Sequence, residues 1–205
     1  MSSTQTSSPP VAQASRKGGP GRGIYLAFVP WVLFTLITQH VSLAAAAVAA
    51  LAAAVAVSAP SLLRGRPKLL ELAAVAAFAG FTVLAFRADP AASGWVVHFA
   101  RAIAAGVLAV TAFGSLLFVP FTEQYARESV PRQFWSSPRF KRINRQLTLL
   151  WGCVFVAMMV AHVIAGAIDT RRGNTIFNWV VPVILIVWAV KRTGEVSTSE
   201  SGRAR

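Results

Sequence analysis

Six long apolar runs alternate with short polar stretches through the middle of the chain. The runs cover residues 24–38, 41–59, 69–86, 95–118, 147–168 and 175–190. A bilayer core about 30 Å thick needs about 20 helical residues to cross it, and most of the runs approach that length. Their apolar residues are continuous rather than alternating, which disfavours a transmembrane barrel. The pattern therefore predicts an all-α, polytopic membrane helix bundle with about six transmembrane helices.

The first two runs are separated only by the polar pair Gln39 and His40. Together the two runs exceed the length of one span, so the pair predicts a tight turn between two short spans. One broken or re-entrant element over residues 24–59 is the alternative interpretation. The two interpretations place different numbers of crossings at the start of the bundle.

Composition supports a membrane protein and excludes two other classes. Hydrophobic residues make up 55% of the chain and charged residues 13%, against about 25% charged residues in a soluble domain. The charged side chains are too few to cover a cytosolic enzyme, and the apolar ones are too many for a disordered chain. Only residues 1–21 and 193–205 have the composition of disordered arms, which leaves one domain at residues 22–192.

The basic residues fall mostly on one side of the predicted bundle. The chain carries 20 Lys and Arg against 7 Asp and Glu, a formal net charge of +13. If the N-terminus is cytoplasmic, the basic residues that do not lie inside are Arg87, Arg101, Arg171 and Arg172. The positive-inside rule therefore predicts that both termini are cytoplasmic. The basic residues then face membrane lipids, and no basic face remains for a nucleic acid.

The cytoplasmic connection at residues 120–146 is the longest and most polar one. Ser137 followed by Pro138 is typical of a helix start, so we expect the fifth helix to begin in the headgroup region. One interpretation of this stretch is a basic amphipathic turn on the membrane surface. The other is a docking surface for anionic lipid or a cytoplasmic partner, and its candidate contact residues are Tyr125, Arg127, Trp135, Arg139, Lys141, Arg142 and Arg145.

This connection also carries a pattern of specific residues. It reads PFT-x-x-YAR-x-x-VP, then FW, then P-x-F-x-x-x-N, and its members are Pro120, Phe121, Thr122, Tyr125, Ala126, Arg127, Val130, Pro131, Phe134, Trp135, Pro138, Phe140 and Asn144. The segment resembles a stretch found in a family of small bacterial inner-membrane proteins of unknown function. The resemblance covers about 25 residues and brings no known chemistry with it.

Residues 64–190 are similar to a second family, the intracellular septation protein A family of small polytopic inner-membrane proteins. The similarity rests on hydropathy order, on Lys68 with Glu71, spaced by three, and on Asn178 with Trp179. It implies a role in the cell envelope or in division, with no catalytic residues to carry over. The alanine-rich second helix and the long N-terminal arm depart from that family.

Ionisable residues at membrane depth are functional candidates by default. His98 and Arg101 lie three residues apart, and His162 and Asp169 lie seven apart, so each pair shares one helix face near the outer side. These four residues suggest a proton or anion path. A metal or haem held by the two histidines is a second interpretation. The third is a set of interfacial polar groups in which Arg101 pairs with Asp169 or Asp89.

Recognisable catalytic motifs are absent from the sequence. It contains no HExxH, GxSxG or CxxC pattern and no glycine-rich phosphate-binding loop. The single cysteine, Cys153, excludes an intrachain disulfide. We expect a non-enzymatic integral membrane protein of the bacterial cell envelope, with no metal or other cofactor. Its expected partners are lipids, envelope or division proteins, or further copies of itself. The alternative function is a small transporter or proton-coupled carrier that uses the outer polar cluster.

Overall fold

The computed structural model describes residues 22–87 and 90–202 of the chain. The predicted N-terminal arm, residues 1–21, lies outside the described residues. The same is true of Asp89, one of the two predicted partners of Arg101, and of residues 203–205 at the end of the predicted tail.

Eight α-helices make up most of the described residues, and no strand occurs among them. The helices are α1 (Arg22–Ile37), α2 (Leu43–Leu63), α3 (Leu69–Arg87), α4 (Pro90–Ser115), α5 (Phe121–Ala126), α6 (Pro138–Ile168), α7 (Arg171–Thr175) and α8 (Val181–Gly202). A 3₁₀ turn lies at Arg132–Phe134, and a π-helical turn at Ile176–Val180 joins α7 to α8. The predicted all-α fold is confirmed over this part of the chain.

Five segments are long and apolar enough to cross a membrane. They are α2, α3, Gly94–Ser115 of α4, α6, and the stretch Arg171–Val196 through α7 and α8. The apolar helix Gly23–Ile37 within α1 is shorter, about 22 Å long at 1.5 Å per residue. These lengths and hydropathies are those of a multi-pass membrane helix bundle.

The predicted turn between the first two apolar runs is present. The backbone N–H of His40 bonds to the Ile37 carbonyl at 2.9 Å, where α1 ends. The Ser42 hydroxyl then caps α2 by accepting a hydrogen bond of 3.3 Å from the Ala45 N–H. The helical part of residues 24–59 thus forms two separate helices, which pack against each other.

Aromatic rings and alanines fill the space between α1, α2 and α3. The rings of Trp31 and Phe34 in α1 lie 4.9 and 5.1 Å from the ring of Phe78 in α3. The alanine-rich α2 contributes small side chains, and Ala46 and Ala50 are fully buried. Small residues let helix backbones approach closely, which favours association in lipid.

The second half of the bundle is built on the contact between α4 and α6. A Cβ added at Gly152 in α6 would lie 2.9 Å from a ring carbon of Phe113 in α4. Because glycine has no side chain, the Phe113 ring can pack directly against α6. Ala161 and Ala165, predicted to share the small-residue face of α6, are both buried.

The long helices alternate in direction, so their connections gather at two ends. The end with the α2–α3 connection, α5 and the start of α6 is called the basic end here, and the opposite one the cavity end. Gly23 in α1 lies beside Glu128, and the Trp151 indole N–H donates to the Thr193 hydroxyl of α8 at 3.2 Å. Hence α1 begins at the basic end, and α8 ends there.

The structure corrects the predicted extent of the C-terminal tail. The last helix continues to Gly202, so residues 193–202, which were expected to be disordered, are helical. No proline interrupts this polar stretch, and Arg192 forms an ion pair of 2.8 Å with Glu195 one turn later. Pairs at this spacing support a helix that no neighbouring element covers.

Candidate functional site

A polar cavity of about 460 Å³ opens at the cavity end. It lies where α1 ends, where α4 begins, and where α6 passes into α7. The structure brings together all four members of the predicted outer cluster there, because the walls include His98, Arg101, His162 and Asp169. His98 of α4 and His162 of α6 thus line one cavity.

Arg101 is the central cation of this cavity. Its Nη2 donates to the Thr35 carbonyl at 3.2 Å. The Gln39 carboxamide oxygen faces the guanidinium group. It accepts a hydrogen bond of 2.9 Å from Nη1 and a second, shorter one from Nη2. The Trp179 ring lies below the guanidinium, 5.7 Å from its carbon. Neutral groups therefore supply all the contacts of this charge within the described part of the chain.

The expected ion pair between Arg101 and Asp169 is not formed. Asp169 lies exposed on the rim, and no described carboxylate is within 4.0 Å of the guanidinium. The reason is local: Asp169 ends α6 in a left-handed conformation with φ 45°. The short polar side chain of aspartate tolerates this conformation better than most. It is thereby placed at the turn rather than on the inner face of the helix.

The two histidines play different structural roles. The Nε2 atom of His98 lies 2.6 Å from the Gly166 carbonyl and ties α4 to the end of α6. His162 is 5% exposed, and its Nδ1 lies 2.6 Å from the Asn178 carboxamide oxygen. Because that oxygen only accepts, Nδ1 carries the proton. The Asn178 amide in turn donates to Asn174 at 2.5 Å.

The π-helical turn at Ile176–Val180 positions the remaining polar groups. A π turn holds one more residue than an α turn and often occurs at functional sites. Here it carries Asn178 and Trp179, which reach His162 and Gln39 respectively. Upstream, the Thr170 hydroxyl caps α7 by accepting a bond of 3.1 Å from the Gly173 N–H.

The cavity suits a small anion better than it suits a metal. No group of three or more His, Cys, Asp or Glu side chains that could hold a metal ion occurs in residues 22–87 and 90–202. The histidines are bonded to different partners. Arg101 and Arg171 supply two positive charges against the one carboxylate of Asp169, and amide and hydroxyl side chains line part of the remaining wall. Such a set can bind a small anion by charge and by several hydrogen bonds.

A second polar cluster is buried at the basic end. The Lys68 ammonium lies 3.5 Å from a Glu71 oxygen and 2.5 Å from a Glu128 oxygen. Glu71 is only 4% exposed, and its other oxygen accepts a short hydrogen bond from the Ser61 hydroxyl. Glu71 and Lys68, three residues apart in the chain, thus form an ion pair. Glu128 extends the cluster, so that the α5 segment is held against the α2–α3 connection.

Tyr125 belongs to this buried cluster and not to a docking surface. Its side chain is 1% exposed, and the Lys68 ammonium lies 4.4 Å from the ring centroid. Burial, followed by the nearby Glu71 and Glu128 carboxylates, raises the pKa of its hydroxyl above the ordinary value. The prediction that Tyr125 contacts a partner is therefore wrong, because α5 turns it inward.

Arg127 and Trp135 also fold against the protein itself. Arg127 forms an ion pair of 2.6 Å with the buried Glu123. The guanidinium carbons of Arg127 and Arg132 lie 5.1 and 5.6 Å from the Trp135 ring. The Trp135 indole N–H donates to the Val130 carbonyl at 2.8 Å. Both predicted contact residues thus shape the connection itself.

The other predicted contact residues lie at the start of α6. The helix begins as expected, with the Ser137 hydroxyl accepting a bond of 3.2 Å from the Phe140 N–H. Lys141, Arg142 and Arg145 are exposed, and Arg139 is partly buried. The exposed three form what we call the α6 basic face.

The motif residues of the connection mostly serve packing. The Thr122 hydroxyl bonds to the Asn144 carbonyl and to the Thr148 hydroxyl, both at 2.8 Å. The Asn144 amide donates to the Phe140 carbonyl at 2.9 Å. Phe121 is buried beside them. The motif thus describes how α5 seats itself on α6.

Comparison of the chain with protein-family models, with curated proteins and with solved structures finds no match. The geometry of the two polar clusters is therefore the basis for a functional conclusion.

Sequence reasoning missed several members of both clusters. Gln39 was predicted only as part of a turn, while Asn174, Ser61 and Thr148 were not singled out. A usable signal existed for Thr148 and Ser61, which are polar residues inside or next to an apolar run. Gln39 gave no comparable signal, since polar residues in a turn are ordinary.

Replacing Lys68 by methionine should destabilise the protein. The substitution leaves the buried Glu71 carboxylate without its cation, at a cost of about 3 kcal/mol. We expect the apparent melting temperature in detergent to fall by roughly 6–12 °C. The control is Lys141→Met on the exposed α6 basic face, which should change stability by less than about 0.5 kcal/mol. Equal melting temperatures of the two variants would contradict a stabilising role for the cluster.

Proposed function

We propose that the chain is a bacterial inner-membrane protein with six spans and with both termini in the cytoplasm. Two observations support this topology. Most of the exposed basic residues in the described part of the chain lie at the basic end, against Arg87, Arg171 and Arg172 at the cavity end, and by the positive-inside rule the more basic end faces the cytoplasm. The start of α1 and the end of α8 lie at that same end. The short α1 then crosses as the sixth span, with local thinning of the bilayer absorbing the mismatch.

Cysteine accessibility tests this topology. In a Cys153→Ala background, a cysteine is placed at Lys141 on the basic end or at Arg172 on the cavity end, both exposed. A membrane-impermeant maleimide should label Arg172→Cys in intact spheroplasts. It should label Lys141→Cys only after the membrane is permeabilised. The reverse pattern would place the basic end outside and overturn the proposal.

We propose that the function is the non-enzymatic binding of a small anion in the outward-facing cavity, as the first step of carriage by a small transporter. The observation that carries the proposal is Arg101, a cation without a described carboxylate partner in a polar cavity. A charge at this depth is costly, and it persists where it serves a substrate or ion. A cavity of about 460 Å³ also lies in the range of small-molecule sites.

The alternative is that the polar side chains of the cavity are interfacial residues that bind no ligand. An interfacial arginine extends toward water or pairs with a carboxylate. Arg101 instead donates to a backbone carbonyl of α1 and to Gln39, and its Nε is buried without a partner. This arrangement keeps donor capacity inside the cavity, which favours a bound anion over a snorkelling side chain.

Replacing Arg101 by glutamine should abolish anion binding. The protein is placed in neutral-lipid nanodiscs, and acetate, sulfate and inorganic phosphate are titrated at constant ionic strength while thermal stability is followed. A bound anion raises stability with saturation. The matched control is Arg87→Gln, which removes an exposed arginine at the same end but outside the cavity.

We expect wild type and Arg87→Gln to respond alike to at least one anion, and Arg101→Gln to show no response. Arg101→Lys keeps the charge but loses the planar fork, so it should bind at least about tenfold more weakly. An identical response of all four proteins would overturn the proposed function.

The α6 basic face supports a second candidate, a cell-envelope protein that docks a division partner or anionic lipid through this face. Lys141, Arg142 and Arg145 are exposed at the start of α6. Basic residues here attract anionic headgroups by about 1 kcal/mol each. The burial of Tyr125 and the internal contacts of Arg127 and Trp135 narrow the candidate surface to this face.

A fluorescent fusion at the C-terminus in dividing bacterial cells tests this second candidate. The wild-type protein should be enriched at the septum, and the enrichment should be lost when Lys141, Arg142 and Arg145 are all changed to glutamine. A control variant with Arg64, Arg66 and Lys191 changed to glutamine removes equal exposed charge at the same end. Septal enrichment that survives the first set of changes, or is absent in wild type, would exclude the α6 basic face as the determinant.

A further inference from the structure

A single oxygen in the cavity receives three N–H donors. The Gln39 carboxamide oxygen lies 2.7 Å from the Trp179 indole nitrogen and 2.9 Å from Arg101 Nη1, and Arg101 Nη2 lies still closer. Gln39 comes from the turn after α1, Arg101 from α4 and Trp179 from the π-helical turn. Two elements therefore direct their donors onto one acceptor that a third element supplies.

The Gln39 oxygen occupies the natural position of an anion's oxygen. The two terminal nitrogens of a guanidinium form a fork that matches two coplanar oxygens of a carboxylate or phosphate. Gln39 presents to this fork one neutral oxygen, which both nitrogens share. The two guanidinium nitrogens could each bond to a separate oxygen, but they share one. No described carboxylate neutralises the positive charge of Arg101. A negatively charged pair of oxygens would satisfy both deficits.

The Gln39 side chain is also able to move away from Arg101. The residue is exposed and lies between two helices, in the turn that follows Ile37. Its side chain can rotate away without moving a helix or opening the aromatic core between α1 and α3. Arg101 keeps its bond to the Thr35 carbonyl when that happens, so the guanidinium stays in place.

We propose that Gln39 is an internal stand-in for the ligand, and that a small oxyanion with two coplanar oxygens displaces its carboxamide from Arg101 and Trp179. This inference rests on the proposed anion-binding function and deepens it. The Gln39 contact holds the empty site in order and lowers the apparent affinity. A ligand binds only the fraction of molecules in which the fork is open.

Three substitutions test whether Gln39 competes with a ligand for Arg101 or only stabilises the turn after α1. Gln39→Ala removes the competing oxygen, so acetate should bind about tenfold more tightly than to wild type, because a hydrogen bond to a charged group no longer competes. Gln39→Glu supplies a tethered carboxylate, which should fill the fork and abolish the response to acetate. Gln39→Ser is the second truncation, used if the alanine variant does not fold.

The measurement uses the full-length protein in phosphatidylcholine nanodiscs. Binding of acetate and of inorganic phosphate is followed by intrinsic tryptophan fluorescence and by thermal stability. A parallel set of nanodiscs contains phosphatidylglycerol, whose headgroup phosphate offers the same chemistry from the membrane. Saturation by the soluble anions identifies a free solute as the source. A response confined to phosphatidylglycerol identifies the lipid headgroup.

The expected order of affinity is the same for either source, with Gln39→Ala above wild type and wild type above Gln39→Glu. If wild type binds an anion but Gln39→Ala and Gln39→Ser bind no more tightly, the stand-in role is overturned while anion binding remains. Wild-type affinity in Gln39→Glu would overturn it as well. If none of these proteins responds to any probe, the proposed function fails together with the inference.

Discussion

A polar group in a membrane-embedded bundle must find its partner inside the protein, because the lipid offers none. The two ends of this bundle meet that constraint differently. At the basic end, Lys68 is shared between Glu71 and Glu128, and Ser61 completes the set. At the cavity end, the partners of Arg101 among the described residues are neutral: the Thr35 and Gln39 oxygens and the Trp179 ring. Charges that are fully paired fix a structure, whereas a cation that is only partly satisfied retains the capacity to bind.

The basic-end cluster explains how the short helix α5 is held in place. Helix α5 has six residues, too few to be stable alone, yet Phe121, Thr122 and Tyr125 are all buried. The Thr122 hydroxyl is bonded to α6, and Tyr125 lies beside Lys68 of the α2–α3 connection and Glu71 of α3. The contact between α5 and its neighbours thus closes one end of the bundle, which leaves the cavity end as the accessible one.

Much of the fold follows from local sequence, and much of the site does not. The apolar runs predicted the helices, the polar pair predicted the turn between α1 and α2, and Ser137 predicted the start of α6. Helical spacing also predicted that His98 and Arg101 share one helix face near the outer side. The inward direction of Tyr125 and the contact of Gln39 with Arg101 could not be predicted. Each depends on which helices become neighbours, and Gln39 and Arg101 are far apart in the chain. The helical tail of α8 escaped prediction because a polar composition does not by itself stop a helix.

The π-helical turn makes the cavity depend on chain length as much as on residue identity. Loss of one residue within Ile176–Val180 would restore an ordinary α-helix. The segments on either side of the turn would keep roughly their orientation, because the turn absorbs one extra residue, but the residues inside the turn would change direction. His162, Asn174 and Arg101 would be unchanged, yet Asn178 and Trp179 would face elsewhere. A one-codon deletion or insertion is therefore an evolutionary route by which descendants of this chain could lose or regain the site, without any substitution among the residues that line it.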